Sequence, residues 1–381
     1  MQQRIQQQLA KLKQLNLTRK INYKQQIAGS YIYIEDSKYI DFSSNDYLGL
    51  SQEKTVLQAA KQALDDFSLS ATSSSWVNGL SSIHKNLNDE ICTWLEAPSC
   101  ALFSSGFMAN LGTIESLCNR QDVIFHDKDN HASLLSGVKL SRCKHYRYRH
   151  LDYNHLAQLY KQFHKKHNWI ISDAVFSMSG KHANLSKIAS LQDNNCGIII
   201  DDAHGIGLFG KDGAGSFSKQ GVCYLDNTVH IITFGKAIGS MGAAVIGSKE
   251  TIEYIQQKAN TMAYTTAMPP AIAAGTLKSI QLIRNDESYR QRLFSNIQLF
   301  NEILTTYGLT KEASESPIFK INAKSIEHSE LWSRKLKAEK FWVHPVKPPS
   351  VANAGLRVII TARHTSSQLK LLGKAINATW S

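Results

Sequence analysis

Short apolar runs recur through the middle of the chain, separated by helical or irregular segments. Seven of them have the length and the β-branched or aromatic content of buried strands. They cover residues 100–104, 122–126, 143–148, 169–174, 196–201, 229–234 and 243–247. Strands that alternate with helical segments predict a mainly parallel, doubly wound sheet with helices on both faces. Ligands of such sheets bind beyond the carboxyl ends of the strands.

The segments on either side of this region have other patterns. Apolar residues at helical spacing between Ile5 and Leu15 predict an N-terminal helix with one apolar stripe, and residues 30–43 have the pattern of a two-stranded hairpin. Further helices are predicted over residues 53–66, 84–95, 249–260 and 276–307. We therefore divide the chain into an N-terminal helix and hairpin (1–45), a large domain (46–275) and a smaller C-terminal α/β domain (276–381).

Ionisable residues follow the ends of several predicted strands, so the topology gathers them at one edge of the sheet. Lys236 follows the strand 229–234 in the sequence HIITFGKAIGSMG and is surrounded by small residues. Crowding lowers the pKa of a lysine, and its neutral amine is the form that makes Schiff bases. Asp201 ends another apolar strand and needs a partner to stay ionised. The alternatives are a solvated lysine and a buried ion pair between Asp201 and an arginine.

Three shorter motifs could also bind a ligand. At Ser104–Phe107 a strand ends and a helix begins, and the free amides of such a turn suit a phosphate. GIGLFG (205–210) matches G-x-G-x-x-G, but the following KDGAGSFSKQG is not expected to be helical, so no dinucleotide site is assigned. HDKDNH (126–131) lacks a further cluster at ligand spacing, so no metal is expected.

Composition and charge narrow the class of protein. The 381 residues carry a formal net charge of +12, which fits either an anionic partner or a lysine-rich soluble surface. The basic run from Arg142 to Arg149 alternates like a strand and is not the continuous basic stripe of a nucleic-acid face. The six cysteines are scattered, which indicates neither a disulfide framework nor a zinc site. Neither a secretory signal nor a transmembrane helix is expected, so we predict a cytoplasmic protein.

Seven motifs carry a resemblance to a known family. They are FSSNDYLGLS, SSGFMAN, NHASLL, VFSMSG, DDAHGIG, TFGKAIG and YTTAMPP. Their order and spacing resemble those of the α-oxoamine synthases, which are fold-type-I pyridoxal-phosphate enzymes that condense an amino acid with an acyl thioester and release carbon dioxide. The similarity spans essentially the whole chain and, with KPPSVANAGLRV, is strongest to the biotin-pathway member. It implies a fold-type-I α/β transferase, bound pyridoxal 5'-phosphate, and a homodimer with active sites at the interface.

The resemblance also implies a role for each matching residue. Three would act in catalysis: Lys236 as the Schiff-base lysine, His131 stacked on the cofactor ring and Asp201 at the ring nitrogen. The others would bind the rest of the cofactor: Ser177 and His204 the ring hydroxyl, Thr233 with the amides of Gly106 and Phe107 the phosphate, and Thr265 and Thr266 the phosphate of the partner subunit. Substrate would contact Arg19, Ser350 and Arg357, the last by holding the amino-acid carboxylate.

The reaction implied is the decarboxylating condensation of L-alanine with a pimeloyl thioester, carried by coenzyme A or by an acyl carrier protein. Alternatives within the family use glycine, as 2-amino-3-ketobutyrate ligase and 5-aminolevulinate synthase do, or a longer acyl chain. From other classes, a non-catalytic partner subunit is disfavoured because Lys236, Asp201, His131 and His204 are all present. A basic nucleic-acid-binding protein is supported by charge alone.

Two positions depart from the family pattern. The loop SATSSSWVNG (70–79), which contains Trp76, stands where relatives have a glycine-rich loop. Asp173 precedes VFSMSG where glutamate is expected. Because the loop is expected to approach the acyl pocket, the acyl-chain specificity stays open.

Overall fold

The protein is described by a computed structural model that covers residues 1–18, 20–310 and 312–380. The chain divides into two compact units. The larger unit comprises residues 48–177 and 181–290, and the smaller unit comprises residues 1–47, 178–180 and 291–381.

The strands and helices of the described residues are numbered in chain order. The strands are β1 (Gln26–Ala28), β2 (Tyr31–Ile34), β3 (Ser37–Asp41), β4 (Ser99–Phe103), β5 (Val123–Asp127), β6 (Lys144–Tyr148), β7 (Asn168–Asp173), β8 (Cys196–Asp201), β9 (Thr228–Thr233), β10 (Ala243–Gly247), β11 (Ile318–Asn322), β12 (Phe341–Trp342), β13 (His344–Val346) and β14 (Gly355–Ile359). The helices are α1 (Gln2–Gln14), α2 (Lys54–Phe67), α3 (Ser82–Leu95), α4 (Gly106–Leu117), α5 (Ala132–Ser141), α6 (Tyr153–Phe163), α7 (Leu185–Ala189), α8 (Gly215–Gln220), α9 (Lys249–Lys258), α10 (Asn260–Ala263), α11 (Pro270–Asn285), α12 (Ser288–Thr306), α13 (Ile326–Ala338) and α14 (Ser366–Thr379).

The larger unit contains a seven-stranded sheet in the order β4-β10-β9-β8-β7-β5-β6. Strands β5 to β9 run parallel to one another, and β10 is antiparallel to both of its neighbours. Every predicted strand of this region lies within one residue of an observed one. The predicted mainly parallel seven-stranded sheet is therefore confirmed.

Both faces of this sheet are buried under helices. In β8, Ile199 belongs to one apolar cluster, whereas Ile198 and Ile200 belong to another, because successive side chains of a strand point to opposite faces. Helices α4, α5 and α9 contribute to the first cluster, and α6, α7 and α8 contribute to the second. This arrangement is the doubly wound one that the alternation of strands and helices predicted.

The predicted long helix over residues 276–307 is wrong, because two helices occupy the region. Helix α11 begins at Pro270, a residue suited to the first turn of a helix, and ends before Asp286. The backbone of Asp286 is extended, and its side chain accepts a hydrogen bond at 2.9 Å from the amide of Ser288, the first residue of α12. The predicted domain boundary at residue 276 falls inside α11, and the division into domains stays a prediction.

The smaller unit is built on two short sheets. One has the order β1-β2-β3-β12, and β2 pairs with β3 as the predicted antiparallel hairpin. The other has the order β11-β14-β13, with Arg357 on its central strand β14. Helix α1 confirms the predicted N-terminal helix, and it contains no buried residue. Among the described helices, none is long and apolar enough to cross a membrane.

Candidate active site

Lys236 lies in a tight turn that directly follows β9. The amide of Phe234 donates to the carbonyl of Gly242 at 2.9 Å, and the amide of Gly239 donates to the carbonyl of Lys236 at the same distance. Gly239 and Gly242 have φ angles of 69° and 107°, which favour glycine. A Cβ atom at Gly242 would also come within 2.3 Å of Met268 Cε. The small residues around Lys236 are thus required by the turn, which leaves the lysine half-buried.

Asp201 is buried at the carboxyl end of β8 and is held by amide groups. Its Oδ1 accepts the backbone amide of Ala203 at 2.9 Å, and its Oδ2 accepts Asn110 Nδ2 at 2.6 Å. Asn110 is itself buried, on α4. These contacts to the Asp201 carboxylate come from amides, whereas the expected alternative was an ion pair with an arginine.

His131 immediately precedes α5 and is fixed at both its backbone and its ring. Its amide donates to Asp173 Oδ2 at 2.6 Å, and its Nδ1 lies 2.7 Å from Ser133 Oγ. Burial lowers the pKa of His131, with the nearby charge of Asp201 acting against this shift and that of Lys236 adding to it. The structure thus brings the three predicted catalytic residues into one electrostatically connected group.

Asp173 stands opposite Asp201 in the register of the parallel strands β7 and β8. Burial and the nearby Asp201 raise the pKa of Asp173 well above its ordinary range, against the amide of His131 and the charge of Lys236, which lower it. An aspartate at this position, where glutamate is expected, still contacts the site, because Asp173 accepts a hydrogen bond from the backbone amide of His131.

A cradle for an anion lies where β4 leads into α4. Ser105 caps the helix by accepting the amide of Met108 at 3.3 Å, and the first amides of a helix lack partners within it. A Cβ atom at Gly106 would come within 2.3 Å of Thr233 Cγ2, so only glycine allows this close approach. Thr233 Oγ1 is buried without a hydrogen-bond partner among the described residues. The predicted Thr233 and Gly106 are thus adjacent, followed by the exposed Phe107.

Four other predicted cofactor residues lie in the same unit. His204 is buried in the loop after β8, and Ser177 is half-buried in the loop after β7. Because β7 and β8 are parallel neighbours, these loops leave the same edge of the sheet. Thr265 and Thr266 line a small pocket together with Ser104, the residue before the anion cradle.

Arg357 lies in the smaller unit, in a polar group that the sequence reasoning missed. Its Nη2 donates to Asn45 Oδ1 at 3.1 Å, and the Tyr47 hydroxyl donates to the same oxygen at 3.3 Å. Burial lowers the pKa of Arg357, whereas the neighbouring Tyr47 raises it. Burial also raises the pKa of Tyr47, and Arg357 opposes that shift. Asn45 and Tyr47 both belong to the motif FSSNDYLGLS, so this motif could have pointed to them as site residues.

The two other predicted substrate residues are not tied to a site by the structure. Ser350 belongs to the smaller unit and is exposed. Arg19 lies outside the described residues. The grouping of Arg357, Ser350 and Arg19 with Lys236 stays a prediction.

The glycine-rich segment after Asp201 has a structural explanation. Cβ atoms at Gly205 and Gly215 would come within 2.0 and 2.4 Å of the two carboxylate oxygens of Asp202. Asp202 accepts the amide of Ser216 at 2.7 Å and its hydroxyl at 2.6 Å. The backbone therefore wraps a buried carboxylate. Residues 205–210 open no helix, as expected, but the expectation that the following residues are not helical is wrong for α8.

Asp127, the first acidic residue of HDKDNH, holds a turn. Asp127 Oδ1 accepts the amide of Asp129 at 2.8 Å and contacts His150 Nδ1 at 3.0 Å, while Oδ2 accepts the amide of Leu151 at 2.9 Å. A carboxylate satisfied in this way belongs to the local structure.

Comparison with known proteins places the chain in a family. The family described as aminotransferase class I and II matches residues 37–376. The chain belongs to this family. Similar members include the curated 8-amino-7-oxononanoate synthase of Saccharophagus degradans, 38% identical, with 90% of this chain and 87% of that protein covered. The 8-amino-7-oxononanoate synthase of Vibrio cholerae is 35% identical over 98% of this chain and 96% of its own.

Two solved structures share the fold of this chain. An 8-amino-7-oxononanoate synthase from Francisella tularensis is 31% identical, with a TM-score of 0.79 and coverage of 89% of this chain and 97% of that chain. A serine palmitoyltransferase from S. paucimobilis with bound PLP and myriocin is 23% identical, with a TM-score of 0.92 and coverage of 98% and 96%. At that identity the second likeness shows the fold alone.

The residues of the larger unit fit pyridoxal phosphate. The buried Thr233 hydroxyl, which has no partner among the described residues, and the α4 amides beside Gly106 supply donors for a phosphate. The buried Asp201 carboxylate suits a protonated ring nitrogen, and the half-buried Lys236 supplies a primary amine.

Proposed function

We propose that the chain is a pyridoxal-phosphate-dependent acyltransferase of biotin biosynthesis. It condenses L-alanine with a pimeloyl thioester and releases 8-amino-7-oxononanoate, carbon dioxide and the free thiol. The observation that carries this proposal is the joining of Asp201, His131 and Lys236 into one group beside an anion cradle. The names of the curated relatives support the choice of substrates.

Each predicted site residue of the larger unit would bind a different part of the cofactor. Asp201 would keep the ring nitrogen protonated, and His131 would stack on the ring. Thr233 and the amides of Gly106 and Phe107 would bind the phosphate. The ring hydroxyl would contact Ser177 and His204, and the phosphate of a partner subunit would contact Thr265 and Thr266. When bound, pyridoxal phosphate supplies a sink for the negative charge that develops on the α-carbon of the amino acid.

Proton transfer belongs to Lys236. Its Nζ removes the α-proton of alanine, which is the general-base step, and returns a proton after carbon dioxide has left. The turn after β9 holds Lys236 half-buried at the same edge of the sheet as Asp201, because β8 and β9 are parallel neighbours.

The amino-acid carboxylate is the ligand of Arg357. A guanidinium binds a carboxylate through two parallel hydrogen bonds, which fix its orientation as well as its position. Asn45 accepts one hydrogen bond from Arg357 and so limits the orientations open to this side chain. Arg19 and Ser350 are proposed as further contacts to substrate.

For the acyl chain of the substrate, we propose contacts with only one segment of the protein. The loop 70–79 is proposed to approach it, and either coenzyme A or an acyl carrier protein would carry it. The test compares alanine with glycine, and pimeloyl with acetyl, succinyl and long-chain thioesters. We expect alanine and pimeloyl to give the highest kcat/KM. A preference for glycine, or for another acyl chain, would assign the chain to a different branch of the same reaction.

We also propose that the protein is a cytoplasmic homodimer whose active sites lie at the interface. Two large apolar side chains close in sequence to pocket-lining residues, Val77 and Tyr264, are exposed in the single chain, and exposed apolar patches mark association surfaces. The isolated pairing of Ser74 with Thr266 joins this surface to a residue proposed to contact the partner's cofactor. Light scattering on the purified protein should give twice the chain mass of 42.6 kDa, and an active monomer would contradict the proposal.

The cofactor assignment has its own experiment. The purified protein should be yellow, and borohydride should remove the visible band and leave a reduced pyridoxyl group on one lysine. Peptide mapping should place that group on Lys236. The control is Lys236→Ala, in which borohydride should label no peptide. Labelling of another lysine in the wild type would contradict the assignment.

A further inference from the structure

A chain of hydrogen bonds connects Asp201 to His131 through two buried side chains. Asn110 Nδ2 lies 2.6 Å from Asp201 Oδ2 and 2.7 Å from Ser133 Oγ. Ser133 Oγ lies 2.7 Å from His131 Nδ1. Asn110 and Ser133 are both buried, on α4 and α5, so the path is shielded from water. The carboxylate proposed for the ring nitrogen and the imidazole proposed for the ring face are therefore joined by the protein itself.

The donors along this path follow from the chemistry of each group. The Asn110 atom beside Asp201 Oδ2 is the amide nitrogen, which can only donate. That nitrogen has two hydrogens and donates one to Asp201 and the other to Ser133 Oγ. A hydroxyl oxygen can accept twice, so the direction of the bond between Ser133 Oγ and His131 Nδ1 is decided by the Ser133 backbone amide, which can only donate. The amide of Ser133 also points to Nδ1, at 3.3 Å. Nδ1 is thus an acceptor, and the ring proton of neutral His131 is on Nε2.

Burial favours the same neutral form. It lowers the pKa of His131, against the nearby charge of Asp201, which raises it, while the charge of Lys236 has a smaller lowering effect. Asp173 contacts the backbone amide of His131 and not its ring. A second proton on the ring would have to go to Nδ1, where it would break the hydrogen bond from Ser133.

We propose that Asn110 and Ser133 are positioning residues that keep His131 neutral with its proton on Nε2. Lys236 then remains the base of the proposed reaction, and this consequence rests on the proposed function. The protonation state itself does not, because the path exists without substrate.

The direct test is nuclear magnetic resonance on the holoenzyme labelled with ¹⁵N-histidine and measured without substrate. The His131 signals are assigned by their loss in His131→Gln. In the wild type we expect a proton on Nε2 and none on Nδ1 at neutral pH. A proton on Nδ1, or on both nitrogens, would overturn the proposal whether or not the condensation reaction is confirmed.

Two alanine variants on α5 test the part played by Ser133. Ser133→Ala removes the hydroxyl that donates to Nδ1, so the pKa of His131 should rise by up to about one unit, the value of one ordinary hydrogen bond. The acid limb of the kcat–pH profile should move in the same direction. Ser141 is the matched control, because it is buried on the same helix and its hydroxyl donates to the carbonyl of Val138 at 2.8 Å.

Ser141→Ala should leave the titration of His131 unchanged. An identical His131 titration in Ser133→Ala and wild type would show that the hydroxyl does not hold the ring, and would overturn its role. If Ser133→Ala fails to fold, the wild-type proton position still decides the proposal.

Discussion

The cofactor end of the site and the loop 70–79 are held together in different ways. At the cofactor end, Asp201 and His131 are fixed by side-chain hydrogen bonds from buried groups. In the loop, the amides of Val77 and Gly79 both donate to the carbonyl of Ser74, at 3.2 and 3.0 Å, while Val77 itself is exposed. A buried side-chain network specifies which residues can occupy it, whereas a backbone-held turn leaves its side chains free to vary. The residues proposed to bind the cofactor and the loop proposed to approach the acyl chain are thus held by different kinds of contact.

The largest effect should come from removing the amine at the cofactor end. Lys236→Ala should keep the fold, since the turn is held by backbone bonds, but should lower kcat by about 10³-fold or more because the general base is lost. Circular dichroism checks the fold and product formation checks the rate. Turnover near the wild-type rate would remove Lys236 from the mechanism.

The buried carboxylate should rank second. Asp201→Asn keeps the size of the side chain but removes the charge that would stabilise a protonated ring nitrogen. We expect kcat to fall by about 10²- to 10³-fold, the usual cost of losing one electrostatic contact in a site. Asp129→Asn is the control, because Asp129 is an exposed acid outside the site. Equal rates for the two variants would show that the charge of Asp201 is not used.

The anion cradle should give a smaller effect, on cofactor affinity. In Gly106→Ala the new Cβ atom would overlap Thr233 Cγ2, and such overpacking costs about 1–3 kcal/mol. Pyridoxal phosphate should therefore bind about tenfold more weakly or worse in a titration of the apoenzyme. The control is Gly275→Ala on α11, where the nearest atom would be 3.7 Å away. Unchanged affinity in Gly106→Ala would contradict the cradle.

The smallest effect should come from the loop. Trp76 is half-exposed, and its Nε1 donates to the carbonyl of Gln256 at 3.0 Å. Trp76→Ala should change the ratio of kcat/KM between pimeloyl and shorter thioesters by about tenfold, the effect of a few pocket contacts, with cofactor affinity unchanged. Trp76→Phe keeps the aromatic packing without the donor and should lie closer to the wild type. Weaker binding of the cofactor in Trp76→Ala would show that the loop 70–79 and the cofactor-binding residues do not act separately.

The sequence was informative where local patterns decide structure. The apolar run at 196–201 is long enough to define β8, so the edge at which Asp201 lies could be predicted from it. The break between α11 and α12 was missed, because it depends on one residue, Asp286, leaving the helical region. The amphipathic pattern continues on both sides of that residue.

Contacts between distant residues could not be predicted. Asn110 and Asp201 are 91 positions apart, and only the packing of α4 against the sheet brings them to 2.6 Å. Asn45 and Arg357 are 312 positions apart, and no periodicity connects them. The family motifs did contain Asn110 and Asn45. Their partners became visible only in the folded chain.

One labelling experiment tests the central claim most directly. The purified enzyme is given L-alanine labelled with ¹³C at its carboxyl carbon, together with pimeloyl thioester, and both products are analysed by mass spectrometry. The decarboxylating condensation predicts unlabelled 8-amino-7-oxononanoate and labelled carbon dioxide in equal amounts. Label retained in the amino ketone, or the absence of that product while Lys236 carries the cofactor, would contradict it.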